Sequence, residues 1–186
     1  MNLETLLEVI QVQRHDFLNH LQVISGLLQL NKVDRVREYI GQISVEMAQM
    51  SKTTRIKMPE VTAALLAGFN EASKSQIDLE LTVNSDLADC AVPGPVVGHA
   101  LERSLNCAFA TMASPEVRGR RLEVIFTESE KKFTCRLLFS ESQQADPDLF
   151  ERGLAPVVEL LNPYGGRVNL VMANNGIEIF LIFPRK

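Results

Sequence analysis

The sequence predicts an α+β protein: an N-terminal helical hairpin followed by a C-terminal α/β sandwich. Up to Met50, apolar residues recur at spacings of three, four and seven, the stripe of helices packed along one side. From Ile77 onward, short runs alternate apolar and polar residues, as in Ile77-Asp78-Leu79-Glu80-Leu81-Thr82-Val83, the mark of half-buried strands. Between the two regimes, Ser51 to Lys57 is polar and basic, and Pro59 ends any helix before it. Residues 1–56 are therefore expected to form one domain and residues 57–186 a second.

The first helix is expected from about Asn2 to Leu30, on Leu3, Leu6, Leu7, Ile10, Phe17, Leu21, Ile24, Leu27 and Leu28. Asn31-Lys32 interrupts it, and Asp34 is a candidate N-cap for the helix that follows. That second helix carries Val33, Val36, Ile40, Ile43, Met47 and Met50 in a heptad-like seam. Two such helices joined by a short turn make an antiparallel hairpin. One hairpin cannot cover a stripe on each helix. Pairing with an identical hairpin does, so a homodimer built on a four-helix bundle is expected.

Helices are expected over Glu60 to Ser73, Val96 to Met112 and Asp148 to Leu161. Strands are expected over Ile77 to Val83, Arg121 to Thr127, Phe133 to Phe139, Arg167 to Met172 and Ile177 to Phe183. The charged run Glu128 to Lys132 and the Asn175-Gly176 pair are the turns of two hairpins. This order suits a two-layer sandwich with helices on one face of a mixed sheet.

Bulk properties exclude several functions. A net charge of −4 offers no footprint for nucleic acid. No apolar run approaches the roughly 18 residues that span a bilayer, and the N-terminus lacks the basic and apolar regions of a signal peptide. A cytoplasmic location without membrane contact is expected. Cys90, Cys107 and Cys135 are far apart and odd in number, without zinc-ligand spacing. They are expected to be reduced, mostly buried thiols.

The candidate site lies on the first helix. At about 100° per residue, Ile10, Phe17, Leu21, Ile24 and Leu28 cluster within roughly 40° of one direction, and His15 lies roughly 140° from it. Packing does not explain an imidazole on the solvent side, followed directly by Asp16. A neutral imidazole is a competent nucleophile near pH 7 and suits taking and giving a phosphoryl group. His20 lies roughly 80° from the seam and is expected to be structural. His99, on a helix of the second domain, is not expected to be functional.

The run Arg14-His15-Asp16-Phe17-Leu18-Asn19-His20-Leu21-Gln22-Val23-Ile24-Ser25-Gly26-Leu27-Leu28-Gln29-Leu30 resembles the dimerisation helix of the sporulation initiation phosphotransferase B family. It is also similar to the related sensor histidine kinases of the citrate-sensing type. The whole chain has the family's layout, a helical hairpin followed by an ATPase-like α/β domain. The resemblance implies His15 as phosphoacceptor in a homodimeric four-helix bundle.

The second domain resembles the histidine-kinase ATP-binding fold in its order of elements but departs from it in chemistry. His99 and Arg103 stand where that fold has magnesium-holding asparagines. Ser140 to Pro147 contains no glycine where an Asp-x-Gly-x-Gly loop belongs, and of the glycine-rich lid only Gly153-Leu154-Ala155 remains before Pro156. Glycine lets a backbone approach phosphates and adopt φ > 0. Loss of all three boxes implies a degenerate ATPase domain, as in the phosphotransferase branch.

Without ATP, His15 would receive its phosphoryl group from an aspartate on one response-regulator receiver domain and give it to another. Transfer needs in-line positioning and charge neutralisation, with no cofactor bound by this chain and Mg2+ supplied by the receiver. Asp16 and Asn19 join His15 as candidate catalytic residues: Asp16 orients the imidazole or is a solvated carboxylate, and Asn19 lies one turn on, at i+4. Arg14, Leu18 and Gln22 are candidate docking contacts. Arg14 would otherwise serve a salt bridge in the bundle, and Leu18 a wider apolar stripe. Gly26 suggests close backbone approach, by a receiver or by a packed helix. Two alternatives stay open: a diverged sensor kinase that autophosphorylates His15 from ATP, and a non-catalytic dimeric scaffold that docks receivers.

Overall fold

The computed structural model describes residues 3–113, 119–139, 147–173 and 176–186. They form two compact units, Met1–Ser51 and Lys52–Lys186. The 3-10 turn Lys52–Arg55, which the expected boundary assigns to the hairpin, falls in the second unit. There Lys52 Nζ donates to the Leu81 carbonyl at 2.8 Å, and Thr53 is buried.

The first unit is α1 (Leu3–Gln29) and α2 (Val33–Ser51). Their turn is set by Asn31, whose φ of 54° lies in the left-handed region that asparagine tolerates. The Asn31 N–H donates to the Leu28 carbonyl and the Lys32 N–H to the Leu27 carbonyl, both at 2.9 Å. This bond pair closes a helix C-terminus around a left-handed residue. Asp34, expected as the cap of α2, sits instead inside its first turn. The first α2 bond, from the Val36 N–H, goes to the Lys32 carbonyl, so the cap lies two positions earlier. Asp34 faces the positive helix end and lies 3.3 Å from Arg37.

The second unit comprises α3 (Pro59–Lys74), β1 (Asp78–Val83), α4 (Gly94–Met112), β2 (Arg121–Glu128), β3 (Lys132–Phe139), α5 (Pro147–Leu161), β4 (Arg167–Ala173) and β5 (Gly176–Pro184). Pro59 opens α3, where its fixed φ suits a first turn that needs no N–H. The sheet order is β1-β2-β3-β5-β4, with β1 parallel to β2 and every other pair antiparallel. It is the mixed sheet the element order suggests. Leu81, Val124, Leu137 and Ile179 are fully buried, and so are Phe126, Leu181 and Phe183. The residues between them are more exposed, so one face of the sheet carries the core. The helices α3, α4 and α5 supply its other half through Leu65, Leu101, Leu105 and Val157.

Small residues let α3 and α4 approach. A Cβ on Gly98 would lie 2.9 Å from the Glu60 carbonyl oxygen, and one on Gly68 would lie 2.9 Å from Leu105 Cδ1. The Arg120 guanidinium donates to the Ser75 carbonyl at 3.1 Å and reaches the Ala113 carbonyl at 3.5 Å. It thereby serves the carbonyl-rich ends of both helices. The Ser140 to Asp146 loop and the Asn174-Asn175 part of the last turn lie outside the described residues.

Candidate functional site

The site is built on α1, whose 3.6-residue period decides which side chains share a side. His15, Leu18, Asn19 and Gln22 stand at i, i+3, i+4 and i+7, one strip along the helix, and all are exposed. Asp16 and Arg14 flank the strip, roughly 100° to either side. The structure thus brings four of the six candidate residues onto one line and sets the other two beside it.

The His15 side chain is 73% exposed. Asn19 Nδ2 lies 3.1 Å from His15 Nδ1, and Asp16 Oδ1 lies 3.5 Å from the same nitrogen. Among the described residues, both ring contacts fall on Nδ1, and Nε2 has no protein partner. Amide oxygen and nitrogen exchange places by a half-turn, so Asn19 either donates to Nδ1 or accepts from Nδ1–H. In the second arrangement the Nε2 lone pair is free, the form a nucleophile needs.

His20 does not share the strip. It is half-buried, and its Nδ1 lies 3.0 Å from the Tyr39 hydroxyl of α2, with ring centroids 5.8 Å apart. Its structural assignment from the helical angle agrees with this contact. Tyr39 was not singled out from the sequence. Its one signal was its place three residues after the buried Val36, on the side of α2 that meets α1.

Among the described residues, no atom beyond the helix's own backbone lies within 4 Å of a Cβ built on Gly26, so the close approach expected there is left to a receiver or a second copy. The α1 seam is also uncovered: Ile10, Phe17, Leu21 and Leu28 are about half exposed, as are Val33, Ile40 and Met47 on α2.

In the second unit, His99 and Arg103 are exposed on α4. Helix α5 lies hard against α4, since a Cβ on Gly153 would come within 3.0 Å of Cys107 Sγ. Phe150 of α5 is buried, its ring centroid 6.1 Å from that of Phe139. The three cysteines are free thiols; Cys90 and Cys135 are buried and Cys107 is half-buried. Burial pushes all three thiols above their ordinary range. Among the described residues, no helix is long and apolar enough to cross a membrane.

Residues 1–56 match the model of the Sensor_kinase_SpoOB-type, alpha-helical domain. The chain is 27% identical over 146 residues to sporulation initiation phosphotransferase B of Bacillus subtilis, covering 78% of this chain and 74% of that one. It is 26% identical over 141 residues to the sensor protein CitS of Halalkalibacterium halodurans, covering 71% of this chain. It spans only 25% of that sensor's length. Among solved structures, it is similar to histidine kinase ThkA in complex with response regulator protein TrrA, with a TM-score of 0.56 and 11% identity. That match covers 96% of this chain and 61% of that one, and it shows a shared fold. The hairpin is thus similar to the SpoOB-type sensor-kinase helical domain, and the second unit shares the fold of histidine-kinase catalytic domains. The chain is related to phosphotransferases and kinases of two-component signalling.

Proposed function

We propose that this protein is a phosphorelay phosphotransferase, which moves a phosphoryl group between the aspartates of two receiver domains through His15. The observation that carries the reading is the exposed imidazole of a SpoOB-type helix, held at Nδ1 by Asn19 and Asp16 with Nε2 left open.

In the first step the Nε2 lone pair attacks phosphorus. The N–P bond forms, the P–O bond to the donor aspartate breaks, and its carboxylate leaves. The imidazole then carries positive charge, with its proton on Nδ1. Asp16 and the Asn19 carbonyl stabilise that charge and that proton position. In the second step an acceptor carboxylate attacks phosphorus, the N–P bond breaks, and the neutral imidazole returns. Neither step needs a net proton. Positioning and charge neutralisation are the main demands, and Mg2+ comes with the receiver's acidic pocket. In this reading Leu18 and Gln22, on the strip of His15, and Arg14 beside it are the docking contacts.

In this reading ATP is not the donor. His99 and Arg103 stand where the resembled ATP-binding fold has metal-holding asparagines, and α5 is packed onto α4 at Gly153.

The active form in this reading is a homodimer. Val33, Ile40 and Met47 repeat at heptad spacing, as do Ile10 with Phe17 and Leu21 with Leu28. All seven are exposed in one chain, and a second hairpin would bury them.

The test is transfer between two receivers. A phosphorylated donor and an unphosphorylated acceptor are mixed with the protein, its His15→Ala variant or its His15→Gln variant. Acceptor phosphorylation with the unmodified protein alone supports the reading. Equal transfer with the variants overturns it.

A further inference from the structure

Each helix of the hairpin is covered from one flank only. On α1, Ile24, Leu27 and His20 are half-buried, whereas Leu21 and Leu28 are about half exposed. At about 100° per residue, the first three lie roughly 40°, 100° and 80° to one side of the Leu28 direction, and Leu21 lies roughly 20° to the other. On α2, Val36 is buried, and the half-buried Tyr39 and Ile43 lie roughly 60° and 20° to the same side of it. Ile40 and Val33, roughly 40° and 60° to the other side, are nearly half exposed. Two antiparallel helices in contact turn the same-handed flank to each other. The 3.0 Å contact of His20 with Tyr39 lies on that flank of both.

His15 lies on the opposite flank of α1. It stands roughly 140° from the Leu28 direction, with Leu18 at roughly 80° and Gln22 at roughly 120° on the same side. The chain's own α2 does not run along this flank. In a bundle of two hairpins about a two-fold axis, the flank left open by one hairpin meets α2 of the second copy. That helix turns its own open flank inward, where Ser44, Ala48 and Gly41 stand roughly 80°, 120° and 140° from the Val36 direction. The heights match as well. Each step of α1 towards its N-terminus corresponds to a step of α2 towards its C-terminus. His15, five residues before His20, is therefore level with Ser44, five residues after Tyr39. A two-fold axis along the bundle keeps that level for the second copy.

We propose that the phosphoacceptor site is completed across the dimer: a receiver seats in the groove between α1 of one copy and α2 of the other. It meets His15, Leu18 and Gln22 of the first copy and Gly41, Ser44 and Ala48 of the second. This inference rests on the phosphotransfer reading and on the bundle. The short side chains of α2 suit a groove wall. All three residues are exposed, and among the described residues nothing lies within 4 Å of a Cβ built on Gly41 beyond the helix's own backbone. Ser44 Oγ donates to the Ile40 carbonyl at 2.8 Å, which folds the hydroxyl back onto its helix. Each copy then lends its α2 to the other's histidine, and neither site is whole in a single chain.

Complementing variants of the full chain test it. A groove variant carrying Ser44→Glu and Ala48→Glu sets two carboxylates where the receiver's acidic pocket arrives, at exposed positions that glutamate suits as a helix former. Its homodimer is expected to take label from a phosphorylated receiver about tenfold more slowly than the unmodified chain. Labelling of His15 by phosphoramidate, which needs no docking, should be unchanged. Mixed dimers, isolated through two affinity tags, then assign the contact to a copy. In a dimer of the groove variant with His15→Ala, the remaining histidine belongs to the groove variant and faces the intact α2 of the other chain. It is expected to take receiver label at the unmodified rate per site. In a dimer of the unmodified chain with a chain carrying all three substitutions, the remaining histidine faces the altered α2, and labelling is expected to be slow. The reverse pattern, equal rates in the two mixed dimers, or a groove variant that labels like the unmodified chain would overturn this inference alone. An unmodified chain that takes label from phosphoramidate but none from a receiver would overturn the transfer reading and this inference with it.

Discussion

Asn19 Nδ2 lies 3.1 Å from His15 Nδ1, one turn along the same side of α1. This contact makes the amide the nearest group able to choose the imidazole tautomer. A carbonyl oxygen accepting from Nδ1–H leaves the lone pair on Nε2, where phosphorus must be met. Asn19→Ala removes that choice and is expected to slow labelling of His15 about tenfold, the effect of roughly 1.4 kcal/mol in the barrier. Asn19→Asp keeps an acceptor at the position and should retain more activity than Asn19→Ala. Single-turnover labelling rates compare the variants, and equal rates for all three proteins would remove Asn19 from the mechanism.

The two glycines Gly26 and Gly98 should respond in opposite ways to alanine. At Gly26 the space around a new Cβ is open, so Gly26→Ala should stabilise the helix by up to about 1 kcal/mol. At Gly98 the new Cβ would lie 2.9 Å from the Glu60 carbonyl oxygen, a backbone atom that cannot move without shifting α3. Gly98→Ala is expected to cost about 1–3 kcal/mol as overpacking. Denaturant titration of both variants checks the signs. If Gly26→Ala leaves the hairpin stable but slows transfer from a receiver, the close approach at Gly26 is made by the docked partner.

The exposed seam predicts the assembly. Leu21→Glu places a charge in the stripe that a second hairpin would cover, together with the symmetry-related charge of its partner. The variant is expected to lose the association made through the hairpin and to sediment at a lower mass than the unmodified chain at the same concentration. The second unit, Lys52–Lys186, should keep its fold, seen as an unchanged β-sheet circular dichroism signal. A monomeric unmodified chain would contradict the bundle.

Thiol chemistry follows burial. Cys135 is buried in the sheet core, and burial pushes its thiol far above its ordinary range; Cys90 shifts in the same direction for the same first cause. A raised pKa leaves less thiolate, the reactive form, at any given pH. Both cysteines should resist aromatic disulfide reagents at pH 8 in the folded protein and react promptly in denaturant. The half-buried Cys107 should react first. Fast reaction of Cys135 in the native protein would contradict its placement.

The elements with strong periodicity were legible in the sequence, because helix and strand periods are local properties. The strands at Leu122 to Phe126 and Phe133 to Phe139 show this, and so does the seam of α1. The cap of α2 was misread because Asp34 is a common capping residue, whereas the left-handed turn at Asn31 already fixed the start of the helix. The sheet order was not legible: placing β5 between β3 and β4 depends on pairing between distant residues such as Leu137 and Ile179. At the site, the exposure of His15 followed from the helical angle alone. The 3.1 Å contact with Asn19 is a rotamer outcome on that same side. The His20–Tyr39 contact depends on how α1 and α2 rotate against each other, which one helix's pattern does not encode. Gly26 was read as a close approach by a receiver or a packed helix because glycine costs a helix stability; no described atom of its own chain makes that approach, and an approach from a second molecule is not encoded in one helix's pattern.

The central claim is that His15 is charged by a receiver and not by a nucleotide. The most direct measurement incubates the protein with labelled ATP, and separately with a receiver domain labelled on its aspartate, and follows acid-labile label on the chain. The account predicts label from the receiver only, lost in His15→Ala. Label acquired from ATP alone would contradict it and make the protein a kinase.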